Sequence, residues 1–261
     1  MMKLSLSGIS QEYVTDKGET VNAVGETDLE IPEGEFVCVV GPSGCGKSTL
    51  LNVIAGFLEP TSGSVRMDGK VITGPDKQRG VVFQQPTLFP WLTVSKNVEF
   101  GLRINGTSAS ERERIVTDVL DLVGLADFHD SKPYELSGGM QQRAQIARVL
   151  ANDPSVILMD EPFGALDAIT REKLQNDLLD LSREKRKTIF FITHSVDEAI
   201  VLGDRVIVMS ARPGQIIRDV PIKISETYGR PLKGAELRDT PEFDVLRDEI
   251  ASSIGLSATD V

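Results

Sequence analysis

An α/β fold built around a phosphate cradle is what this sequence predicts, on three observations. The run GPSGCGKST at 41–49 is a complete glycine-rich phosphate-binding loop, set between a β-branched strand run at 36–40 and apolar residues of helical spacing at 50–55. Further on, two short apolar runs of the buried-strand type end on polar residues able to do chemistry, Asp160-Glu161 and His194. Segments with helical apolar periodicity lie among the strands.

The loop prescribes its own chemistry. Gly41, Gly44 and Gly46 permit tight turns and close approach of backbone N–H groups to phosphate oxygens, and Pro42, Ser43, Cys45 and Thr49 complete the cradle. Lys47 supplies a mobile positive charge for β and γ phosphates, and Ser48 can offer its hydroxyl to Mg2+.

At 261 residues the chain can form one large domain, or a main domain with a small appendage. No apolar run approaches the ~18 residues of a spanning helix, and the first ten residues lack a basic region followed by an apolar one, so a cytosolic location is expected. A formal charge of -11 argues against nonspecific nucleic-acid binding, which needs a basic face. The two cysteines, Cys38 and Cys45, cannot build a disulfide or zinc framework, and the two histidines cannot build a histidine metal cluster.

In chain order, alternation at 4–9 reads as a half-buried strand ending near Tyr13, and 21–29 as another after the polar turn at 16–18. Tyr13 is either an edge aromatic or a platform for a purine ring; its place ahead of the loop strand supports the platform. Asp68-Gly69 between apolar runs at 64–72 signals a hairpin, and 80–83 a short strand followed at once by Gln84, whose carbonyl could reach Mg2+ or an attacking water. The segment PTLFPWL at 86–92 holds the sole tryptophan, Trp91, in a proline-broken apolar loop suited to partner contact. Helical spacing covers 94–104 and 110–123, with Ser110 and Glu113 as a capping box and a solvated charged face.

LSGGM at 136–140 precedes a helix at 141–150, with Ser137 as N-cap and Gln142, Arg143 and Gln145 away from its apolar side. Two glycines at its start make it a second potential anion site. A buried strand at 155–159 delivers Asp160 and Glu161, and Pro162 stops it; the aspartate can hold Mg2+ and the glutamate can polarise a water. A turn at 164–167 opens a helix running to 181, and a strand at 187–192 leads to His194. A short helix at 195–201, a strand at 205–209 and its hairpin partner at 214–220 follow, and the polar remainder, 221–261, carries a helix at 241–254. No linker long enough to separate independent domains is present.

Taken together, the signature LSGGM, the Walker B run VILMDEP, the ALD turn and FFITHS, in this order behind the P-loop, closely resemble the nucleotide-binding subunit of ABC transporters over about 4–220. The resemblance implies a RecA-like core, an antiparallel β subdomain and a helical subdomain at about 86–152 carrying the signature, with 221–261 as a short extension. It implies ATP and Mg2+ as ligands. Tyr13 would stack on adenine, and Lys47 and the loop amides would bind phosphates. Ser48, Gln84 and Asp160 would serve Mg2+, Glu161 would act as general base, and His194 would contact the γ phosphate. Ser137, Gly138 and Gly139 would complete the ATP site of a second, identical subunit, and Asp167 would communicate between the sites. The family also implies integral membrane permease subunits, met by the loop around Phe89 and Trp91, a periplasmic solute-binding protein acting indirectly, and a peripheral place on the cytoplasmic face of the inner membrane.

PFGALDAITR and SARPG look like importer ATPases for nitrate, taurine and aliphatic sulfonates, and TPEFDVLRDEI looks most like the taurine branch. An ABC-type ATPase of DNA maintenance or translation is opposed by the acidic charge and by the lack of a long coiled-coil insertion between Gln84 and Ser137. A P-loop kinase would leave LSGGM and His194 without a role.

Overall fold

The computed structural model describes every residue except 1, 230, 233 and 256–261, so the end of the expected extension lies outside the described residues. The chain forms two compact units, one of Met1–Asp76 with Leu179–Val261 and the other of Lys77–Leu178.

The first unit opens with β1 (Met2–Val14) and β2 (Thr20–Pro32), paired antiparallel. Leu4, Leu6 and Ile9 are buried along β1. Both strands outrun the expected spans, because the backbone ladder continues to Val14 and Thr20 after apolar alternation has ceased. β3 (Phe36–Val40) is buried throughout and feeds α1 (Lys47–Ala55), which ends on the left-handed Gly56. β4 (Ser62–Met67) and β5 (Lys70–Val71) form the expected hairpin, with Asp68 and Gly69 both at positive φ, 49° and 75°. The antiparallel sheet runs β2-β1-β4-β5.

The second unit contains β6 (Arg79–Val82), α2 (Val94–Ile104), α3 (Ala109–Leu122), α4 (Gly138–Ala151) and β7 (Val156–Asp160). β6 and β7 are parallel, and α4 packs against α2 and α3. The α3 cap is Ser108, which accepts from Glu111 N, not Ser110. Ser108 is the extended residue at which the helix starts, so Ser110, two positions on, already lies in its first turn. The polar side expected of α4 is also corrected: Gln142 and Gln145 are buried, at 1% and 0% exposure, with their amides engaged inside the unit. The boundary with the first unit falls inside α5 (Ala168–Lys185).

Back in the first unit, β8 (Thr188–Ile192) and β9 (Arg205–Met209) flank β3 in parallel, with α6 (Val196–Leu202) between them in sequence and β10 (Ile216–Pro221) antiparallel to β9. Two short helices, α7 (Ile224–Thr227) and α8 (Gly234–Arg238), were not foreseen, since four or five residues carry no helical periodicity. α9 (Pro241–Ile254) has the expected limits, capped by Thr240 and closed by left-handed Gly255. It packs against α6 and β9 with Phe243 and Ile250 buried, so α9 is a packed part of the fold rather than a tail. Phe243→Ala is expected to cost about 3–5 kcal/mol, read as a lowered urea midpoint; a shift under ~1 kcal/mol would show that α9 adds little to the fold. No helix among the described residues is long and apolar enough to cross a membrane.

Candidate nucleotide site

In the first unit the cradle is assembled by close backbone packing. A Cβ on Gly41 would lie 2.7 Å from the Met209 carbonyl oxygen, and one on Gly46, at φ 103°, 2.6 Å from that of Ala23. Lys47 is only 7% exposed, and its ammonium donates to the oxygens of Gly41 at 2.7 Å and Pro42 at 3.0 Å, so its charge sits inside the loop. Cys45 is buried beneath it, whereas Ser43, Gly44 and Ser48 are exposed and Thr49 half-buried. The first-turn N–H groups of α1 have no acceptor within the helix, which with the buried ammonium makes an anion cradle.

His194 reaches the same strand ends. Thr193 N donates to Val39 O at 3.2 Å, so His194 leaves β8 beside the end of β3, and it is exposed. Tyr13 is 43% exposed and pairs with Val21, two residues before the Ala23 that touches Gly46.

The second unit brings Gln84 and Glu161 together. Parallel β6 and β7 are in register at Val82 and Met159, so the residues just beyond them meet, and Gln84 Nε2 donates to Glu161 Oε2 at 3.0 Å. The amide oxygen of Gln84 remains for another partner. Glu161 holds φ 45°, a left-handed conformation seldom taken by a residue with a side chain, immediately before Pro162. The buried glutamines of α4 fix this corner: Gln142 Nε2 and Gln145 Nε2 both donate to Phe83 O, at 3.1 and 2.7 Å, and Gln145 Oε1 accepts from Thr87 N at 2.7 Å. Sequence reasoning missed these two because nothing local distinguishes a buried glutamine from a solvated one.

Ser137 caps α4 by accepting from Met140 N at 3.3 Å, which leaves its hydroxyl proton for another acceptor. A Cβ on Gly138 would meet nothing within 4 Å, whereas one on Gly139 would lie 3.1 Å from Ala165 O. Asp167 caps α5: its Oδ1 accepts from Thr170 N at 3.0 Å, which holds the carboxyl below its usual range. Arg143 donates to the oxygens of Val123 and Gly124, and burial pulls its guanidinium below the usual range against the opposing Asp167 charge.

The oxygen donors expected for a cation are the Ser48 hydroxyl in the first unit and, in the second, the Gln84 amide and the half-buried Asp160 carboxylate. Among the described residues no three His, Cys, Asp or Glu cluster to hold a metal. Within the second unit, a carboxylate and a neutral amide oxygen are donors of the kind a hard cation takes.

The profile of the ABC transporter family matches residues 24–164, more than half of the chain. The chain belongs to that family. Among its ABC relatives, the taurine import ATP-binding protein TauB of Roseobacter denitrificans is 50% identical over 254 residues, 97% of this chain and 94% of that protein. An uncharacterised ABC transporter ATP-binding protein of Methanocaldococcus jannaschii is 52% identical over the same shares. The fold is that of ABC ATP-binding cassettes: a dimeric cassette in a post-hydrolysis state, bound to ADP and Pi, matches with a TM-score of 0.78 and 37% identity, over 84% of this chain and 98% of that one. CbiO1 of Clostridium perfringens, part of the ABC transporter complex CbiONQ, matches at 0.73 and 29%, over 87% and 91%.

Proposed function

We propose that this chain is the ATP-binding and ATP-hydrolysing subunit of an ABC importer, and that its solute is taurine or a related sulfonate. The observation that carries this is 50% identity to a taurine import ATP-binding protein along 97% of the chain. The strand-end placement of the cradle, His194 and the Gln84–Glu161 pair supports the hydrolytic role.

In this reading Tyr13 stacks on adenine, while Lys47 and the amides of Gly41 to Thr49 hold the phosphates. Ser48, Gln84 and Asp160 hold Mg2+, which when bound neutralises charge on the β and γ phosphate oxygens. Glu161 accepts the proton of the attacking water, with Gln84 fixing the carboxylate, and His194 orients the γ phosphate. Ser137, Gly138 and Gly139 belong to the site of a second, identical subunit, so two sites form in a twofold dimer and Asp167 links them.

The permease docks on the loop around Phe89 and Trp91, placing the chain peripherally on the cytoplasmic face of the inner membrane, with a solute-binding protein acting from the other side. Trp91 is 69% exposed, and the Phe89 ring packs on Trp91 and Phe100 beneath the Arg148 guanidinium. Beside it Phe89, Phe100, Ile104 and Pro154 line a groove of about 510 Å³, a fit for an apolar element.

Reconstitution with the permease and solute-binding protein of a taurine importer tests the reading. Taurine is expected to stimulate ATP hydrolysis and enter proteoliposomes; stimulation by nitrate alone would overturn the solute, and no ATP hydrolysis would overturn the enzyme. In the same assay Trp91→Ala should lower uptake at least tenfold while the isolated subunit's ATPase stays within about twofold, as expected for an interface anchor. Unchanged uptake would remove that loop from the interface.

A further inference from the structure

We infer that Arg212 is a positioning residue for the phosphate cradle, acting through the peptide between Gly44 and Cys45. The inference rests on the reading of the loop as an ATP site.

The Arg212 guanidinium donates twice to the Gly44 carbonyl oxygen, from Nε at 3.3 Å and Nη2 at 3.2 Å. In a planar trans peptide the N–H opposes the C=O, so holding the Gly44 oxygen outward holds the Cys45 N–H the other way. That N–H points to Pro42 O, at 3.3 Å, the same oxygen that Lys47 Nζ reaches at 3.0 Å, and so lies on the lysine's side of the loop. Gly44 is exposed, at φ 73°, with Gly46 two residues on. Glycines resist rotation poorly, so a tether on the exposed oxygen limits the peptide's alternatives.

The tether is anchored. Arg212 lies in the turn between β9 and β10, where Ser210 N donates to Gln215 O at 2.9 Å and Ser210 Oγ both donates to Pro213 O and accepts from Gln215 N. Gly214 seats this turn against the loop: a Cβ there would lie 1.8 Å from Cys45 O. Its N–H donates to Ala23 O, the oxygen a Cβ on Gly46 would meet, and its carbonyl accepts from Gly25 N two residues on in β2. The guanidinium therefore projects from a stiff base onto the Gly44 oxygen, while the buried ammonium holds the oxygens of Gly41 and Pro42.

Titration of purified wild type, Arg212→Ala and Arg212→Lys with a fluorescent ATP analogue, with melting curves of each protein, tests this. Arg212→Ala should weaken binding by roughly fivefold to tenfold, about the net worth of one ordinary hydrogen bond because Arg212 acts only through the peptide, with the melting temperature within about 2 °C of wild type. Arg212→Lys should fall between, since an ammonium can restore one bond but not the fork. Wild-type affinity in Arg212→Ala overturns the inference. So does a loss of affinity matched by a fall in melting temperature, which would make Arg212 a fold residue only. If the wild type itself fails to bind, the ATP reading of the loop falls, and the inference with it.

Discussion

Replacing Glu161 by glutamine is expected to lower ATP turnover by about 10²- to 10⁴-fold, the contribution of a positioned general base, while leaving ATP binding intact. The substitution keeps the shape of the side chain and an oxygen that can still accept from Gln84 Nε2, so the corner made by β6 and β7 keeps its geometry. The left-handed backbone at Glu161, φ 45°, is equally tolerable for glutamine. Only the proton acceptor is lost. With binding retained and hydrolysis stopped, ATP should hold two subunits together, so a dimer should persist in size-exclusion chromatography with ATP and Mg2+ where the wild type reverts to monomer. Single-turnover hydrolysis within tenfold of wild type would remove Glu161 from the base role.

Lys47→Ala should act on binding instead. The ammonium is buried and prealigned between Gly41 O and Pro42 O, so in the proposed role it would meet the phosphates without being drawn from solvent. Losing its charge-assisted hydrogen bonds should weaken ATP binding by about 3 kcal/mol, or roughly a hundredfold. Equilibrium titration with a melting curve of the same sample checks this; undiminished affinity would take Lys47 out of the cradle. The two variants thus separate binding from chemistry.

The parts of the fold written in local chemistry were readable in advance. The loop at Gly41, the hairpin at Asp68-Gly69, the Ser137 cap and the limits of α2, β9 and α9 each depend on a few neighbouring residues, and the structure has them there. The cap of α3 was misplaced because Ser108 and Ser110 carry the same chemistry two positions apart. Gln142, Gln145 and Arg212 escaped notice for another reason. Their partners, Phe83, Thr87 and Gly44, are distant in sequence, and no periodicity marks a polar side chain that bonds across the fold. For Gln84 and Glu161, sequence suggested each role separately; only the parallel register showed that the two touch.

The buried glutamines have a mechanical consequence. α4 begins at the Ser137 cap and, within its first two turns, grips the segment after β6 through Gln142 and Gln145; Arg148, further along, holds Thr87 O at 2.8 Å. A helix of 14 residues is a stiff rod about 21 Å long. A displacement near Thr87 that keeps these bonds would carry this rod with it, and with the rod the hydroxyl of Ser137 at its start.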